Sequence, residues 1–199
     1  MRITTPFYSA LFAIVLSGCA GNDAPPAEQT PVVENTYQAA EDALENGKNA
    51  ATVSKLLMDN FEAVSDSNTG KLNMQASQDF SRIARELADK FPEDTMAAMP
   101  FYRSAEVVRA MNDPKRAAAI YRDVYERYPA FSKSPEALFM LAFTYDEDLK
   151  DLDAARSAYN DFLESYPTHS FADDTEMLLK NLGKSDEEIL KELEAKTGE

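Results

Sequence analysis

The chain has 199 residues, enough for one domain of ordinary size with extensions. Its 20 Lys and Arg are outnumbered by 35 Asp and Glu, a formal net charge of −15, which argues against a nucleic-acid partner because a phosphate backbone would be repelled. At 44 % apolar residues the chain can bury a core, and its single cysteine excludes an intramolecular disulfide.

The first segment, MRITTPFYSALFAIVLSGCAGN, has one positive charge at Arg2 and then an apolar run from Phe7 to Leu16 broken only by Ser9. That run is far short of the ~20 residues a helix needs to cross a bilayer. Residues 1–18 are therefore expected to be a secretory signal, removed before folding. They end in Leu16-Ser17-Gly18, followed by Cys19, which resembles the bacterial lipoprotein signal. The resemblance implies that Cys19 becomes the first residue, carries a diacylglycerol on its sulfur and is acylated, typically with palmitate, on its amine. Several acyl chains at about 0.8 kcal/mol per buried CH₂ make a durable anchor. The other reading of the residues is an ordinary cysteine beside a conventional cleavage site. Ala20, where an Asp favours the inner membrane in enteric bacteria, implies the outer membrane with the folded part in the periplasm.

Residues 19–35 read as the lipidated cysteine and a flexible tether. Its stretch AGNDAPPAEQTPVV, Ala20 to Val33, holds three prolines, small polar residues and no apolar period. Extended, it reaches about 40 Å. The next segment, YQAAEDALENGKNAATVSKLLMDNFEAV, predicts two helices turning at Asn46-Gly47, and SDSNTGK, Ser65 to Lys71, reads as a loop.

Three similar stretches follow: FSRIARELADKFP, AAAIYRDVYERYP and ARSAYNDFLESYP, spaced by 37 and 38 residues. Each places apolar residues at offsets 0, 3, 4, 7, 8 and 11, one continuous face of an α-helix. Asp113-Pro114 writes an N-cap and a first-turn proline, and Asp151 repeats the cap. The proline after Phe91, Tyr128 and Tyr166 ends each helix. Between the copies lie partner helices. Ser134-Pro135 opens one by the same N-cap logic, with a core stripe of Leu138, Leu141, Ala142 and Tyr145; Phe101, Ser104, Ala105 and Val108 are its counterparts. FADDTEMLLKNLG reads as a further helix stopped by Gly183, and Ser185 with Glu188 forms a capping box for a final helix with a thin apolar stripe.

A period near 37 built from two helices predicts an all-α, tetratricopeptide-like solenoid of roughly three to four repeats, residues 36–183, with a capping helix over 184–199. Together with the lipobox, ERYPAFSKSPEALFMLAFTY, AARSAYNDFLESYPTHSFADD and YQAAEDALENG, the pattern resembles tetratricopeptide-repeat envelope lipoproteins. These include the repeat lipoprotein of the outer-membrane β-barrel assembly machine and the periplasmic repeat protein of the Tol-Pal system. The resemblance implies a lipid-anchored scaffold that binds envelope proteins, serving outer-membrane protein assembly or, alternatively, division and envelope integrity. A small-ligand role, for glycans or wall fragments, is the reading from another class.

Candidate chemistry is sparse. His169 is the single histidine and is expected to be a solvated loop residue rather than a metal ligand. DEDLKDLD, Asp146 to Asp153, lacks the glycine and terminal glutamate of a calcium loop and reads as a solvated turn. No phosphate loop or nucleophile motif occurs, so no catalytic residue, metal or cofactor is expected. The candidate binding groove comes from a second stripe on the partner helices: Phe139 and Phe143, with Tyr102, Glu106 and Arg109 at related positions one repeat earlier. In tetratricopeptide arrays the first helix of each pair lines a groove for partner segments. Alternatively, the two phenylalanines pack against the neighbouring repeat.

Overall fold

A computed structural model of the chain describes residues 35–197. The expected signal peptide, Cys19 and the tether up to residue 34 lie outside the described residues. The described residues form nine α-helices: α1 (Gln38–Glu45), α2 (Ala50–Asp59), α3 (Met74–Lys90), α4 (Ala98–Ala110), α5 (Pro114–Arg127), α6 (Ser134–Phe143), α7 (Leu152–Ser165), α8 (Ala172–Asn181) and α9 (Asp186–Thr197). Two 3₁₀ turns, Phe61–Val64 and Thr95–Ala97, and a π-helical turn, Thr144–Asp148, lie between them. From α3 to α8 each helix packs on the next along the chain, the order of a helical solenoid. None of the described helices is long and apolar enough to cross a membrane.

The repeated stripe sets this order. Phe80, Ile83, Ala84, Leu87 and Ala88 on α3 are buried, as are Ala117, Ile120, Tyr121 and Val124 on α5 and Ala155, Ala158, Tyr159 and Phe162 on α7. Phe101, Ser104, Ala105 and Val108 on α4, and Leu138, Leu141 and Ala142 on α6, fill the space between them. A buried Phe or Leu is worth about 1.5–3 kcal/mol over an exposed one, and no single helix pair could bury both of its apolar faces. Stacking buries them in one continuous cluster from Tyr37 to Phe162.

Helix ends follow the written signals. Asp113 accepts a hydrogen bond from the Arg116 amide at 3.2 Å and Asp151 from that of Ala154 at 3.1 Å. Phe91, Tyr128 and Tyr166 close α3, α5 and α7 with φ between −125° and −135° and ψ between 53° and 63°. This is the non-helical conformation that the following proline imposes. Gly47 and Gly183 turn with φ of +69° and +79°, where a glycine pays no Cβ penalty. The capping box of α9 forms reciprocally: the Ser185 amide donates to Glu188 at 2.8 Å, and the Glu188 amide donates to the Ser185 hydroxyl at 3.3 Å.

Two local expectations differ. Ser134 does not cap α6, whose first turn has no side-chain cap. Its hydroxyl is fully buried and donates to the Tyr125 carbonyl at 3.5 Å, because this side chain lies against the end of α5 rather than over its own helix. The stretch Phe61–Val64 forms a 3₁₀ turn rather than continuing α2, and it ends at Ser65. There Ser65 and Leu72 make an isolated bridge, Asp66 accepts the amides of Asn68 and Thr69, and Ser77 donates to the Val64 carbonyl.

Contacts one period apart tie the copies together. The Tyr128 hydroxyl donates to the carbonyls of Ala88 and Phe91, at 3.3 and 3.2 Å, at the end of α3. Arg85 pairs with Asp123 at 2.9 Å and Arg127 with Asp89 at 3.1 Å.

Candidate binding groove

Between α4, α5, α6 and the π-helical turn lies a depression of about 380 Å³, lined by Glu106, Arg109, Ala110, Tyr121, Met140 and Asp148. Two of the five residues expected at a groove, Glu106 and Arg109, line it. Tyr102 does not line it: it is 9 % exposed, with its ring 5.8 Å from that of Tyr121 and 6.4 Å from that of Phe131. Phe143 borders it through Arg109, whose guanidinium stands 5.2 Å over the Phe143 ring. Phe139 points into the next repeat, with Phe171 at 4.9 Å, Phe162 at 5.9 Å and Tyr159 at 6.4 Å from ring to ring. The stacked pair Phe139 and Phe143 thus splits between two tasks: one ring fills the repeat junction and the other backs an arginine.

The charges in the depression are held rigidly. Arg109 crosses one period to fork onto Asp148, its Nη2 donating to Oδ1 at 3.2 Å and its Nε to Oδ2. The Asp148 hydrogen bond raises the Arg109 pKa further above its ordinary value. Glu106 pairs with Arg103 at 2.6 Å. Burial, then the carboxylates of Glu106 and Glu136, pushes the Tyr102 phenol up to about 12. Burial raises Tyr121 further, with Glu106 and Tyr102 as the next causes. Both phenols are neutral O–H donors at any ordinary pH.

Among the described residues, two buried side-chain atoms have no hydrogen-bond partner: the Tyr121 hydroxyl and one carboxylate oxygen of Glu136. The first lines the depression; the second belongs to a carboxylate outside its lining that acts on Tyr102 through space. The other Glu136 oxygen accepts from Lys133 at 2.9 Å. Buried polar groups are nearly always paired, so a hydroxyl left open in the lining of a hollow marks a place where a ligand can complete it.

Two further expectations are corrected. His169 is half-buried rather than solvated: its ring meets Phe162 edge-on at 5.5 Å and Phe171 at 5.3 Å, and its Nδ1 accepts the Phe171 amide at 3.2 Å. The turn that follows Tyr166-Pro167 folds the imidazole back onto α7, where apolar rings cover it. The acidic run Asp146–Asp153 is likewise not simply a solvated turn. Asp146 is buried, Asp148 binds Arg109 and Asp151 caps α7. Ala110, Tyr121, Met140 and Asp148 are the groove residues that sequence reasoning missed. Tyr121 sits in the core stripe, where only its hydroxyl betrays a second role, and Asp148 meets Arg109 only through packing. No group of three or more His, Cys, Asp or Glu among the described residues is placed to hold a metal ion.

Comparison with curated proteins gives no match. The tetratricopeptide repeat model matches residues 101–130, which hold α4 and α5, and residues 136–169, which hold α6 and α7. The tetratricopeptide repeat is generally a fold for protein interaction rather than catalysis. The two matched units are the helix pairs that enclose the depression, and the described residues form a tetratricopeptide-like α-solenoid.

Proposed function

We propose that this chain is a non-enzymatic interaction scaffold whose depression between α4 and α6 holds a segment of a partner polypeptide. The observation that carries this reading is the unpartnered Tyr121 hydroxyl in the lining of the depression, a neutral group that can donate to a ligand. A polypeptide backbone offers the complement, a carbonyl oxygen, at each residue. Arg109 and Asp148 at the rim add orientation for a polar partner side chain. The lipobox-like Leu16 to Cys19 and the proline-bearing tether support a place for the scaffold at the bacterial envelope. There it is anchored by lipid on Cys19 to the outer membrane, with the repeats in the periplasm. Its partners are envelope proteins, and assembly of outer-membrane proteins is the role the resemblance favours.

Photo-crosslinking in cells tests this. A benzophenone amino acid at Met140, in the depression, is expected to give a discrete protein adduct that the same group at exposed Lys115 on α5 does not give. Mass spectrometry of the adduct separates barrel-assembly components from Tol-Pal components. Equal adducts from both positions, or none from 140, would remove the groove from the proposal and turn attention to glycans and wall fragments. Cys19→Ala is expected to release the protein from the membrane fraction; membrane retention in that variant would refute the anchor.

A further inference from the structure

A second cavity, of about 530 Å³, opens between the π-helical turn, α8 and the turn into α9. Its walls include the apolar side chains of Leu152, Met177, Leu178 and Ile189. Met177 is 61 % exposed and Leu152 37 %, so much of this apolar wall stands bare to solvent. Gly183 closes one side, so near Leu152 that a Cβ in its place would lie 3.0 Å from the Leu152 Cδ1.

One polar group in this lining stands out. Asp146 is only 7 % exposed, yet it lines the cavity. One of its oxygens accepts from the Tyr159 hydroxyl at 3.3 Å. Both lysines in the lining are already engaged, Lys150 by Glu147 at 3.2 Å and Lys184 by the two oxygens of Glu192 at 2.7 and 2.8 Å. No described Lys or Arg forms an ion pair with Asp146. A carboxylate taken out of water without a contacting cation is costly, and burial duly raises its pKa, with Glu147 the next cause and the Tyr159 hydroxyl and Lys150 opposing. The cavity therefore combines a buried acid, held by one hydroxyl and offset only at a distance by Lys150, with exposed aliphatic walls.

We propose that this cavity is a second binding site, distinct from the groove, that takes an aliphatic ammonium group. The charge sits on Asp146 and the methylene stem lies along Leu152, Met177, Leu178 and Ile189. Asn181 in the lining supplies a further acceptor for the three ammonium hydrogens. A lysine side chain of a partner protein and a free alkyl diamine share this chemistry.

The test is an NMR titration of the ¹⁵N-labelled chain with 1,5-diaminopentane, with a short peptide bearing one lysine, and with n-pentanol as a neutral stem. Saturable shifts at Gly183, Ser185 and Met177 are expected with both amines and not with pentanol. Tighter binding of the peptide makes a protein lysine the source, and tighter binding of the diamine makes it a free amine. Asp146→Asn should weaken both amines at least tenfold while leaving the spectrum elsewhere unchanged. Met177→Ala, at an exposed position, should weaken them about threefold. Asp161→Asn, an exposed acid on α7, should leave them unaffected. Unchanged affinity in Asp146→Asn, equal shifts with pentanol, or no saturable shift at these residues would overturn the proposal.

Discussion

Tyr121 and Asp146 are both buried polar groups, and the fold treats them differently. The Tyr121 hydroxyl has no partner, so its removal gives up no hydrogen bond and relieves a desolvation cost. Tyr121→Phe is expected to leave stability unchanged or raise it by about 1 kcal/mol, read from urea midpoints. The same variant should lower the crosslink yield from position 140 several-fold, separating ligand completion from folding. A loss of stability beyond about 1 kcal/mol would mean that the hydroxyl already has a partner within the fold. Asp146 keeps one hydrogen bond but bears a charge, and its folded pKa lies above its ordinary value of 3.8, chiefly through burial. The groups around it are Glu147 on its own turn, Lys150 two residues beyond that turn, and Tyr159 on α7. A carboxyl with a raised folded pKa favours the folded state while protonated, and that contribution is lost as pH rises through the window above 3.8. The stability of Asp146→Asn relative to the parent chain should therefore increase across that window and then level off. Urea midpoints from pH 3 to pH 7 check this, and a flat difference would mean that Asp146 titrates like an exposed acid.

At the scale of the element, what the sequence makes legible is what one helix writes by itself. The stripes of α3, α5 and α7, the Asp113 and Asp151 caps, the aromatic-proline endings and the Gly183 stop are local patterns, and all appear as written. Asp151→Ala should accordingly cost about 1 kcal/mol, measured as a lower urea midpoint, whereas at Ser134 no cap is at stake because α6 has no side-chain cap. Features that need two elements were not legible. Ser134 turns to the Tyr125 carbonyl, Arg109 finds Asp148, and the acidic run winds into a π-helical turn that tucks Asp146 against Tyr159. A charged run looks solvated in one dimension because the sequence does not state which neighbouring helix will cover it. The same holds for the groove. Its charged rim residues Glu106 and Arg109 were legible from their register, while Tyr121 was hidden within a core stripe whose apolar role it also fills.

At the scale of the molecule, a solenoid transmits stability from neighbour to neighbour, so the site of a defect decides which part loosens. Phe139 is the sharpest place to ask. Its ring meets Phe143 on its own helix, Tyr159 and Phe162 on α7, and Phe171 at the start of α8. It therefore fastens the last helices to the repeat before them. The ring is half-buried, so Phe139→Ala should cost about 2–3 kcal/mol, somewhat under a fully buried phenylalanine. That cost should fall unevenly. Amide hydrogen exchange should quicken in α7 and α8, while α1 to α3, which share no contact with the lost ring, keep their protection. The packing also predicts how binding responds: because Phe139 fills the junction rather than the groove, crosslinking from position 140 should survive its removal at temperatures where α7 stays folded. Uniform loss of protection along the chain would mean that the array unfolds as one unit. Loss of the crosslink with protection intact would return Phe139 to the partner-binding surface.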